Sequence, residues 1–312
     1  MDADIVTMLE QRLGRLHARQ RLGIEREFEG KVFGRGLKLF HLENWYSAPV
    51  LIRTILKATG FYARGRRNAD RVLLRENPLG FADLPPAFDG FRILHLSDLH
   101  VEMSANAMAR AAALAESASY DIAVLTGDYR AATYGAYDTT LEGLARLRPH
   151  LKGPVYGVLG NHDSIRMVPG MEAMGIRMLL NESETIHRGD QTIHLAGIDD
   201  AGFYGVDNIQ KAGEAIPHGG FAILLSHTPE VYRQAAHAGF HLMLSGHTHG
   251  GQICLPGGFA LTLDAGVPRR YGAGAWVHEE MAGYTSTGTG SSIVPVRFNC
   301  PPEVTLHHLR RG

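Results

Sequence analysis

The sequence predicts an α/β protein in which two mixed β-sheets pack face to face, with helices outside them and a helical extension at the N-terminus. Between residues 91 and 160, short apolar runs alternate with helical patterns, as in parallel strands joined by helices. After residue 176 the runs are paired around short turns, which is typical of hairpins. The chain has 312 residues, 45% of them hydrophobic, so it can bury one large core.

Short apolar runs bounded by turn residues predict the buried strands of these sheets. They cover residues 91–96, 122–126, 155–159, 222–225 and 242–244. Runs with the helical period predict helices over residues 105–117 and 140–147. Further on, we expect a hairpin from residues 185–187 and 191–196 around the turn 188–190, and strands over residues 253–254, 275–278, 283–287 and 304–309.

A polar motif follows each of the first five predicted strands. In chain order the motifs are Asp98-Leu99-His100, Gly127-Asp128, Gly160-Asn161-His162-Asp163, Ser226-His227 and Gly246-His247-Thr248-His249. Because ligands bind beyond the carboxyl ends of strands in open α/β sheets, we expect the motifs to converge on one site. Imidazole and carboxylate ligands suit Zn, Mn, Fe, Co or Ni, and no cysteine falls in any motif. Two such cations about 3.5–4 Å apart can clamp the attacking and leaving oxygens of a phosphoester.

These motifs, in this order, resemble the DxH, GD, GNH[DE], H and GHxH pattern of the calcineurin-like metallophosphoesterase superfamily. The resemblance extends from about Phe91 to the C-terminus, and the ending GHTHGGQ at residues 246–252 resembles the bacterial branch that includes UDP-diacylglucosamine pyrophosphatases. It implies a four-layer sandwich flanked by helices, and a dimetal hydrolase in which a metal-bridging hydroxide attacks a phosphodiester or pyrophosphate. We expect two divalent ions, with manganese as the preferred metal and zinc, iron, cobalt or nickel as alternatives.

The resemblance also implies a division of roles among the motif residues. The first metal would be held by Asp98, His100, Asp128 and His249, and the second by Asp128, Asn161, His227 and His247. Asp128 would bridge the two ions, and Asn161 would also contact the substrate. His162 would donate to the phosphate and protonate the leaving oxygen, with Asp163 orienting its ring.

Basic side chains outside the ligand set are further candidates for contacts with phosphate. Arg130 follows the GD motif closely, where its guanidinium can either grip a phosphate oxygen or form a solvated ion pair. Arg269 and Arg270 lie after the last motif and are secondary candidates for a distal phosphate. His95 alternates with leucines in a predicted strand, so we expect it in the core or behind the ligands.

Charge and cysteine content limit the possible partners and location. The net charge is −1, with +4 in residues 1–90 and −5 in residues 91–312, which argues against a general nucleic-acid binder. Cys254 and Cys300 have no metal-site spacing. The N-terminus lacks the pattern of a secretory signal, and no apolar run approaches 18 residues. We therefore expect a cytoplasmic protein without a transmembrane helix.

The residues before the motifs form a separate, basic segment. We expect a helical extension over residues 1–77 and the metallophosphoesterase domain over residues 78–312, separated by turns at residues 77–80 and 83–86. A predicted helix over residues 5–21 has an apolar face formed by Ile5, Leu9, Leu13 and Leu16. For residues 1–30 we expect this face to pack on the catalytic part or on a second subunit, with membrane contact as the alternative.

Residues 40–75 carry a different pattern. Trp45 and Tyr46 precede an apolar run, and seven basic side chains against one acidic side chain lie between residues 53 and 75. An amphipathic, basic segment of this kind can lie on an anionic membrane surface. We therefore expect peripheral membrane contact here, with packing on the catalytic part or on a second subunit as the alternative.

Membrane contact would suit a lipid-linked substrate such as UDP-diacylglucosamine, cleaved to a lipid phosphate and UMP. Two alternatives stay open: a phosphodiesterase or phosphomonoesterase for small soluble substrates, and a non-catalytic, membrane-peripheral metal-binding adaptor. A nuclease is disfavoured because the catalytic part is acidic and shows no aromatic and basic groove for stacking and phosphate contacts.

Overall fold

The computed structural model describes residues 2–33 and 47–312 of the chain. The strands, in chain order, are β1 (Leu73–Phe81), β2 (Arg92–Leu96), β3 (Ile122–Thr126), β4 (Val155–Val158), β5 (Ile176–Met178), β6 (Glu182–Arg188), β7 (Gln191–Gly197), β8 (Ala222–Leu225), β9 (Leu242–Ser245), β10 (Cys254–Leu255), β11 (Phe259–Ala260), β12 (Gly274–His278), β13 (Met281–Thr285) and β14 (Glu303–Arg311). The helices are α1 (Asp2–Leu13), α2 (Arg15–Phe33), α3 (Ser47–Ala58), α4 (Tyr62–Asp70), α5 (Ala105–Ser117), α6 (Asp138–Leu147), α7 (Val168–Ala173), α8 (Ile209–Gly213) and α9 (Tyr232–His237).

The strands form two mixed sheets. In the first sheet the order is β1-β14-β2-β3-β4-β5, where β2 to β5 are parallel and β14 is antiparallel to β2. The order in the second sheet is β12-β13-β9-β8-β7-β6, with antiparallel pairs at both edges. A small separate hairpin joins β10 to β11. The predicted fold class of two mixed sheets with helices is confirmed.

Each sheet is apolar on both faces, as expected of strands that are buried on both sides. One face of each contributes to a core between the sheets, where Ile93 and Val124 of the first sheet meet Leu195 and Leu244 of the second. The outer face of the first sheet packs against α1, α2, α5, α6 and α7, while α8 and α9 cover the outer face of the second. The result is the expected four layers.

The strand β1 was not predicted, and it replaces an expected turn. Residues 77–80 lie within β1, which pairs in parallel with β14 at the edge of the first sheet. Pro78 is tolerated there because an edge strand leaves one side of its backbone unpaired. The helical extension ends at Asp70, and β1 crosses the boundary that we expected at residue 77. Separate domains over residues 1–77 and 78–312 stay a prediction.

Two helices, rather than one, occupy the predicted helical stretch over residues 5–21. They are separated at Gly14, whose φ of 88° lies in the left-handed region that glycine adopts readily. This break turns Leu16 outward, so that it is 79% exposed while Leu9 and Leu13 are buried. Leu16 therefore does not belong to the expected apolar face. Leu9 and Leu13 pack into the core of the first sheet, as expected for residues 1–30.

The helices α3 and α4 form the basic part of the extension. The helix α4 packs on the catalytic part through the buried Gly65 and Ala69. Just before α4, the ring of Phe61 contacts that of Phe298 edge-on, with 6.2 Å between the ring centres. Trp45 and Tyr46, and the expected membrane contact of residues 40–46, lie outside the described residues. Within residues 2–33 and 47–312, no helix has both the length and the apolar character needed to span a bilayer.

Candidate metal centre

The five motifs meet at one edge of the sandwich. The first three follow β2, β3 and β4 of the first sheet, and the last two follow β8 and β9 of the second. The loops are joined by backbone hydrogen bonds, including Asp98 N–H to the carbonyl of Gly127 at 3.0 Å and Gly246 N–H to the carbonyl of His227 at 2.8 Å. Loops that are distant in the sequence therefore share one rigid rim.

The backbone of this rim is unusual. Its non-glycine motif residues with positive φ are Asp98 (51°), His100 (38°), Asp128 (56°), His247 (71°) and His249 (50°). A residue with a side chain costs of order 1–3 kcal/mol in this region, and such strain clusters at functional sites. Five predicted ligands thus adopt a conformation that the surrounding contacts must enforce.

Asp98, His100 and His249 form the first cluster. Nε2 of His100 lies 3.1 Å from Nε2 of His249, which in turn lies 3.5 Å from Oδ1 of Asp98. One possible ligand atom from each residue falls within 4.8 Å of the others, and all three residues are buried. This arrangement matches the ligands expected for the first metal.

Asp128, His227 and His247 form the second cluster, again with ligand atoms within 4.8 Å of one another. Nδ1 of His247 lies 3.2 Å from Nε2 of His227. Oδ1 of Asn161 lies 3.0 Å from Nε2 of His227, so this amide oxygen also lies in the cluster. All four residues are ligands that the sequence predicts for the second metal.

Asp128 faces both clusters. Its Oδ1 lies 3.3 Å from Nε2 of His227, and its Oδ2 lies 3.8 Å from Nε2 of His100. Burial alone would raise the pKa of Asp128, but the neighbouring His227 and His162 hold that pKa well below its ordinary value. A carboxylate that stays ionised between two sets of imidazoles suits a shared ligand of two cations.

Hydrogen bonds behind the histidines fix the direction of their lone pairs. Nδ1 of His100 lies 2.5 Å from the carbonyl of Arg130, and Nδ1 of His227 lies 2.7 Å from the carbonyl of Thr126. A carbonyl only accepts, so Nδ1 carries a proton in each ring, and Nε2 is the nitrogen whose lone pair would face a cation once the ring is neutral. The donor set thus fits two divalent ions, with imidazole, carboxylate and amide ligands.

The motif glycines are required by close packing. A Cβ on Gly246 would lie 1.8 Å from Oγ of Ser97 and 2.3 Å from Oδ2 of Asp98, and a Cβ on Gly160 would lie 2.2 Å from Oδ1 of Asp128. Only glycine lets these loops approach the two carboxylates. The glycines at these motif positions are therefore part of the site.

His162 lies beside the clusters without belonging to either of them. Its backbone N–H donates to Oδ1 of Asp128 at 2.9 Å, and its Nε2 lies 3.9 Å from Oδ2 of the same residue. The hydroxyl of Thr133 lies 3.3 Å from its Nδ1. The ring is thus held next to the predicted bridging ligand, with a partner at its far nitrogen.

Asp163, predicted to orient the His162 ring, has a further set of contacts. Its carboxylate accepts four backbone hydrogen bonds, from Gly160 (2.9 Å), Asp128 (2.8 Å), Tyr129 (2.9 Å) and Arg130 (3.2 Å). Burial raises the pKa of Asp163 to about 6, with Asp128 adding to the rise. Its role is to join the GD and GNHD motifs through their backbones, which the sequence alone did not reveal.

Arg130, a predicted phosphate contact, has its guanidinium bound within its own loop. The residue is buried, and its guanidinium donates to the carbonyl of Gly135 at 2.9 Å and to that of Thr133 at 3.5 Å. These bonds close its own loop, while its carbonyl orients His100. The secondary candidates Arg269 and Arg270 are likewise engaged locally, Arg269 with the carbonyls of Ala260 and Leu261 and Arg270 with the hydroxyl of Tyr271.

Arg297 is a site residue that sequence reasoning missed. It is fully buried, its Nη2 lies 3.1 Å from Nδ1 of His249, and it donates to the carbonyl of Gly290. It thus holds the first cluster from behind. No motif surrounds Arg297 in the sequence, so only its contact with His249, 48 positions away, reveals it.

His95 lies in the core, as expected. Its Nε2 lies 2.8 Å from the hydroxyl of Thr126, and its Nδ1 lies 3.2 Å from Nε2 of His307. Burial lowers the pKa of His95 to about 3, so the ring is neutral. The carbonyl of Thr126 contacts His227, which places His95 behind the second cluster.

Comparison with known proteins agrees with this geometry. The signature of the calcineurin-like phosphoesterase family matches residues 91–251, which include all five motifs. The metallophosphoesterase YkoQ of Bacillus subtilis is 29% identical over 83% of this chain and 98% of its own length. The phosphodiesterase YaeI of Escherichia coli is 30% identical over 70% of this chain and 82% of its own.

A zebrafish relative, a transmembrane protein with a metallophosphoesterase domain from Danio rerio, is 31% identical over 71% of this chain. The match covers 54% of that longer protein. The family signature extends over more than half of the chain, and each of its strand-end motifs contributes to one buried site. The chain therefore belongs to the calcineurin-like phosphoesterase family and is a hydrolase of phosphoester bonds.

Proposed function

We propose that this protein hydrolyses a phosphodiester or pyrophosphate with the help of two divalent cations, for which manganese is the preferred metal. Asp98, His100, Asp128 and His249 would hold one ion, and Asp128, Asn161, His227 and His247 the other. The position of Asp128 carries this proposal, because its two oxygens face different histidine clusters. Bound cations of this kind supply an activated water and neutralise charge on the phosphoryl oxygens.

His162 is the proposed acid. It is absent from both ligand clusters, and its Nε2 lies 3.9 Å from Oδ2 of Asp128, on the side of the site where both clusters meet. A protonated imidazole there can donate to a phosphoryl oxygen and then transfer its proton to the leaving oxygen. Asn161, adjacent to it, would contact the substrate as well as the second ion.

The test compares a ligand carboxylate with an exposed one. Asp98→Asn and Asp190→Asn proteins are purified with manganese, and their metal content and hydrolysis of an aryl phosphodiester are measured. Asp190 lies in an exposed turn. Asp98→Asn should lose metal and turnover, whereas Asp190→Asn should retain both. Equal rates for Asp98→Asn and the parent would refute the site.

The proposed substrate is lipid-linked, such as UDP-diacylglucosamine, and the proposed location is the surface of an anionic membrane. The helix α3 supports this proposal, since Val50, Leu51 and Ile55 are 61%, 59% and 52% exposed. Its basic side chains Arg53 and Lys57 lie on the opposite side of the helix from Leu51 and Ile55, given the helical period. Such a helix lies at an anionic interface with its apolar face inward.

A second exposed apolar element follows the last motif. In and beside the hairpin β10–β11, Leu255, Phe259 and Leu261 are 46%, 54% and 60% exposed. The segment around Phe298 connects the two elements, because Phe298 pairs with Ile253 at the base of the hairpin and packs against Phe61 before α4. Both elements therefore flank one segment, close to the last metal-site motif.

Vesicle binding tests the membrane part. We expect the protein to sediment with vesicles of phosphatidylglycerol and phosphatidylcholine, and Leu51→Asp and Phe259→Asp each to weaken this binding. The matched control is Val277→Asp, since Val277 is 65% exposed on the edge strand β12 of the second sheet. If the control weakens binding as much as the other two variants, the proposed surface is wrong.

Substrate choice requires a separate measurement. Incubation with UDP-diacylglucosamine should release UMP and a lipid phosphate, which mass spectrometry detects. The alternative is a small soluble phosphodiester. The name of the relative YaeI, a phosphodiesterase, supports a diester over a pyrophosphate. Turnover of soluble diesters, together with no UMP release at catalytic enzyme concentrations, would select the alternative.

A further inference from the structure

The helix α2 reaches the back of the metal centre through a buried ion pair. Nε of Arg21 lies 3.0 Å from Oε1 of Glu25, one helical turn later. Arg21 is fully buried and Glu25 is 5% exposed. Burying two charges carries a desolvation penalty that their attraction often fails to offset, so such a pair is weak evidence of a contribution to stability. Its contacts indicate another role.

The pair holds three consecutive residues of the loop that carries the GNHD motif, residues 160–165, which we call the GNHD loop. Nη2 of Arg21 donates to the carbonyl of Asp163 at 2.8 Å. Glu25 accepts from the hydroxyl of Ser164 at 2.7 Å and from the backbone N–H of Ile165 at 2.8 Å. The side chains of α2 thus fix the loop through residues that belong to neither metal cluster.

Asp163 extends this contact to the predicted metal ligands. Its carbonyl is held by Arg21, while its carboxylate accepts the backbone N–H of Asp128 at 2.8 Å. Asn161 and His162 immediately precede it in the same loop. A displacement of Asp163 would therefore move the bridging carboxylate, an amide ligand and the proposed acid together.

Arg21 also contacts a loop of the second sheet. Its guanidinium lies 3.3 Å from the centre of the Tyr204 ring and 3.9 Å from Oδ1 of Asp199, which pairs with His17 at 2.8 Å. Asp199 follows β7 of the second sheet, whereas the GNHD loop follows β4 of the first. One guanidinium thus touches loops from both sheets, at the edge where the clusters form.

We propose that Arg21 and Glu25 are positioning residues of the hydrolase, which set the placement of His162 and of the ligands Asn161 and Asp128. This inference rests on the proposed function, because it assigns the GNHD loop to the metal site and the acid. The helix α2 thus positions groups of the active site, whatever other contacts the N-terminal segment makes.

The test separates positioning from folding by comparison with a second arginine of the N-terminal helices, which is partly buried. Arg12 of α1 is the matched control, because it pairs with Glu172 and Glu182 and donates to the carbonyl of Met178, away from the GNHD loop. The full chain carrying Arg21→Met, Arg21→Lys, Glu25→Gln or Arg12→Met is saturated with manganese. For each protein, Tm, manganese affinity and kcat for diesters with aryl and alkyl leaving groups are measured.

We expect Arg21→Met and Glu25→Gln to lower kcat about 10–100-fold, the usual effect of removing groups that orient metal ligands. The loss should be larger for the alkyl ester, whose leaving oxygen needs the proton from His162. Arg21→Lys keeps the charge and should retain part of kcat. Arg12→Met should lower Tm comparably and leave kcat unchanged.

An apolar double variant gives the decisive comparison. Arg21→Met combined with Glu25→Leu removes both buried charges, so its Tm should recover, whereas its kcat should stay low. If kcat follows Tm in every variant, or if Arg21→Met and Arg12→Met have the same kcat, α2 only stabilises the fold and the inference is wrong. Failure of the metal site itself would appear separately, as full activity of Asp98→Asn.

Discussion

Nε2 of His227 lies 3.3 Å from Oδ1 of Asp128, although the two residues follow strands of different sheets. Burial opposes the charge on His227, but Asp128 raises the pKa of its imidazole to about 10. Without metal, the site is therefore held by an internal ion pair. A cation can bind there only by displacing the proton of His227.

The first prediction concerns the pH dependence of the metal-free protein. The folded pKa of His227, about 10, lies above its ordinary value of 6.5. The ion pair of protonated His227 with Asp128 therefore contributes fully to the free energy of unfolding below pH 6.5, and this contribution is lost as the pH rises through about 10. Thermal unfolding of chelator-treated protein should show Tm falling across this range.

The same measurement has two controls. The fall should be smaller in His227→Gln, and it should also be smaller in manganese-loaded protein, because His227 then has no proton to lose. A metal-free protein whose Tm rises between pH 6.5 and about 10, or changes equally in His227→Gln, would show that the pair does not form as described.

The second prediction isolates His162. His162→Gln should keep both metal ions and slow the hydrolysis of an alkyl phosphodiester by about 10²–10⁴-fold, the usual contribution of general acid catalysis. The nitrophenyl ester should be affected much less, because its leaving oxygen needs no proton. His187→Gln, on the exposed face of β6, is the control. Equal losses for the two esters would remove the acid role.

The third prediction follows from the four backbone donors of Asp163. In Asp163→Asn, an amide NH₂ replaces one acceptor oxygen, so that buried N–H groups lose their partner at about 1–3 kcal/mol each. The free energy of unfolding should fall by at least that amount in chemical denaturation, and manganese affinity should fall about 10–100-fold. Parent stability and affinity in this variant would contradict the role described for Asp163.

The fourth prediction uses a glycine. A Cβ on Gly246 would lie 2.3 Å from Oδ2 of Asp98, so Gly246→Ala should displace that ligand. We expect a loss of about 1–3 kcal/mol of stability from overpacking, together with weaker manganese binding. Gly213→Ala is the control, because nothing lies within 4 Å of its added methyl group. Unchanged metal binding in Gly246→Ala would show that the loop has room to adapt.

Sequence patterns predicted the parts of the fold that depend on local order. The strand β3 and the helix α5 begin and end where the apolar runs predict, and all five motifs lie at the expected ends of strands. Patterns of this kind identify elements because burial on one or both faces fixes the period of apolar residues. The predicted ligands follow from the same rule, since they occupy the sheet edge where strands end.

The elements that were missed depend on distant partners. Nothing local marks residues 73–81 as a strand, since Asn77, Pro78 and Gly80 favour turns, and the strand forms because β14 offers it an edge. Likewise, a carboxylate such as Asp163 can accept from a ring or from backbone N–H groups, and only the fold decides between them. Arg21 and Arg297 are known as site residues only from contacts across more than 40 positions of sequence.

The most direct test of the central claim is the Asp128→Asn variant, because the two oxygens of Asp128 face different clusters. Metal content and turnover of an aryl phosphodiester are measured together on manganese-loaded protein. We predict two ions per chain in the parent, at most one in the variant, and variant turnover at background. A variant that binds two ions and hydrolyses the diester at the parent rate would contradict the shared-carboxylate metal centre.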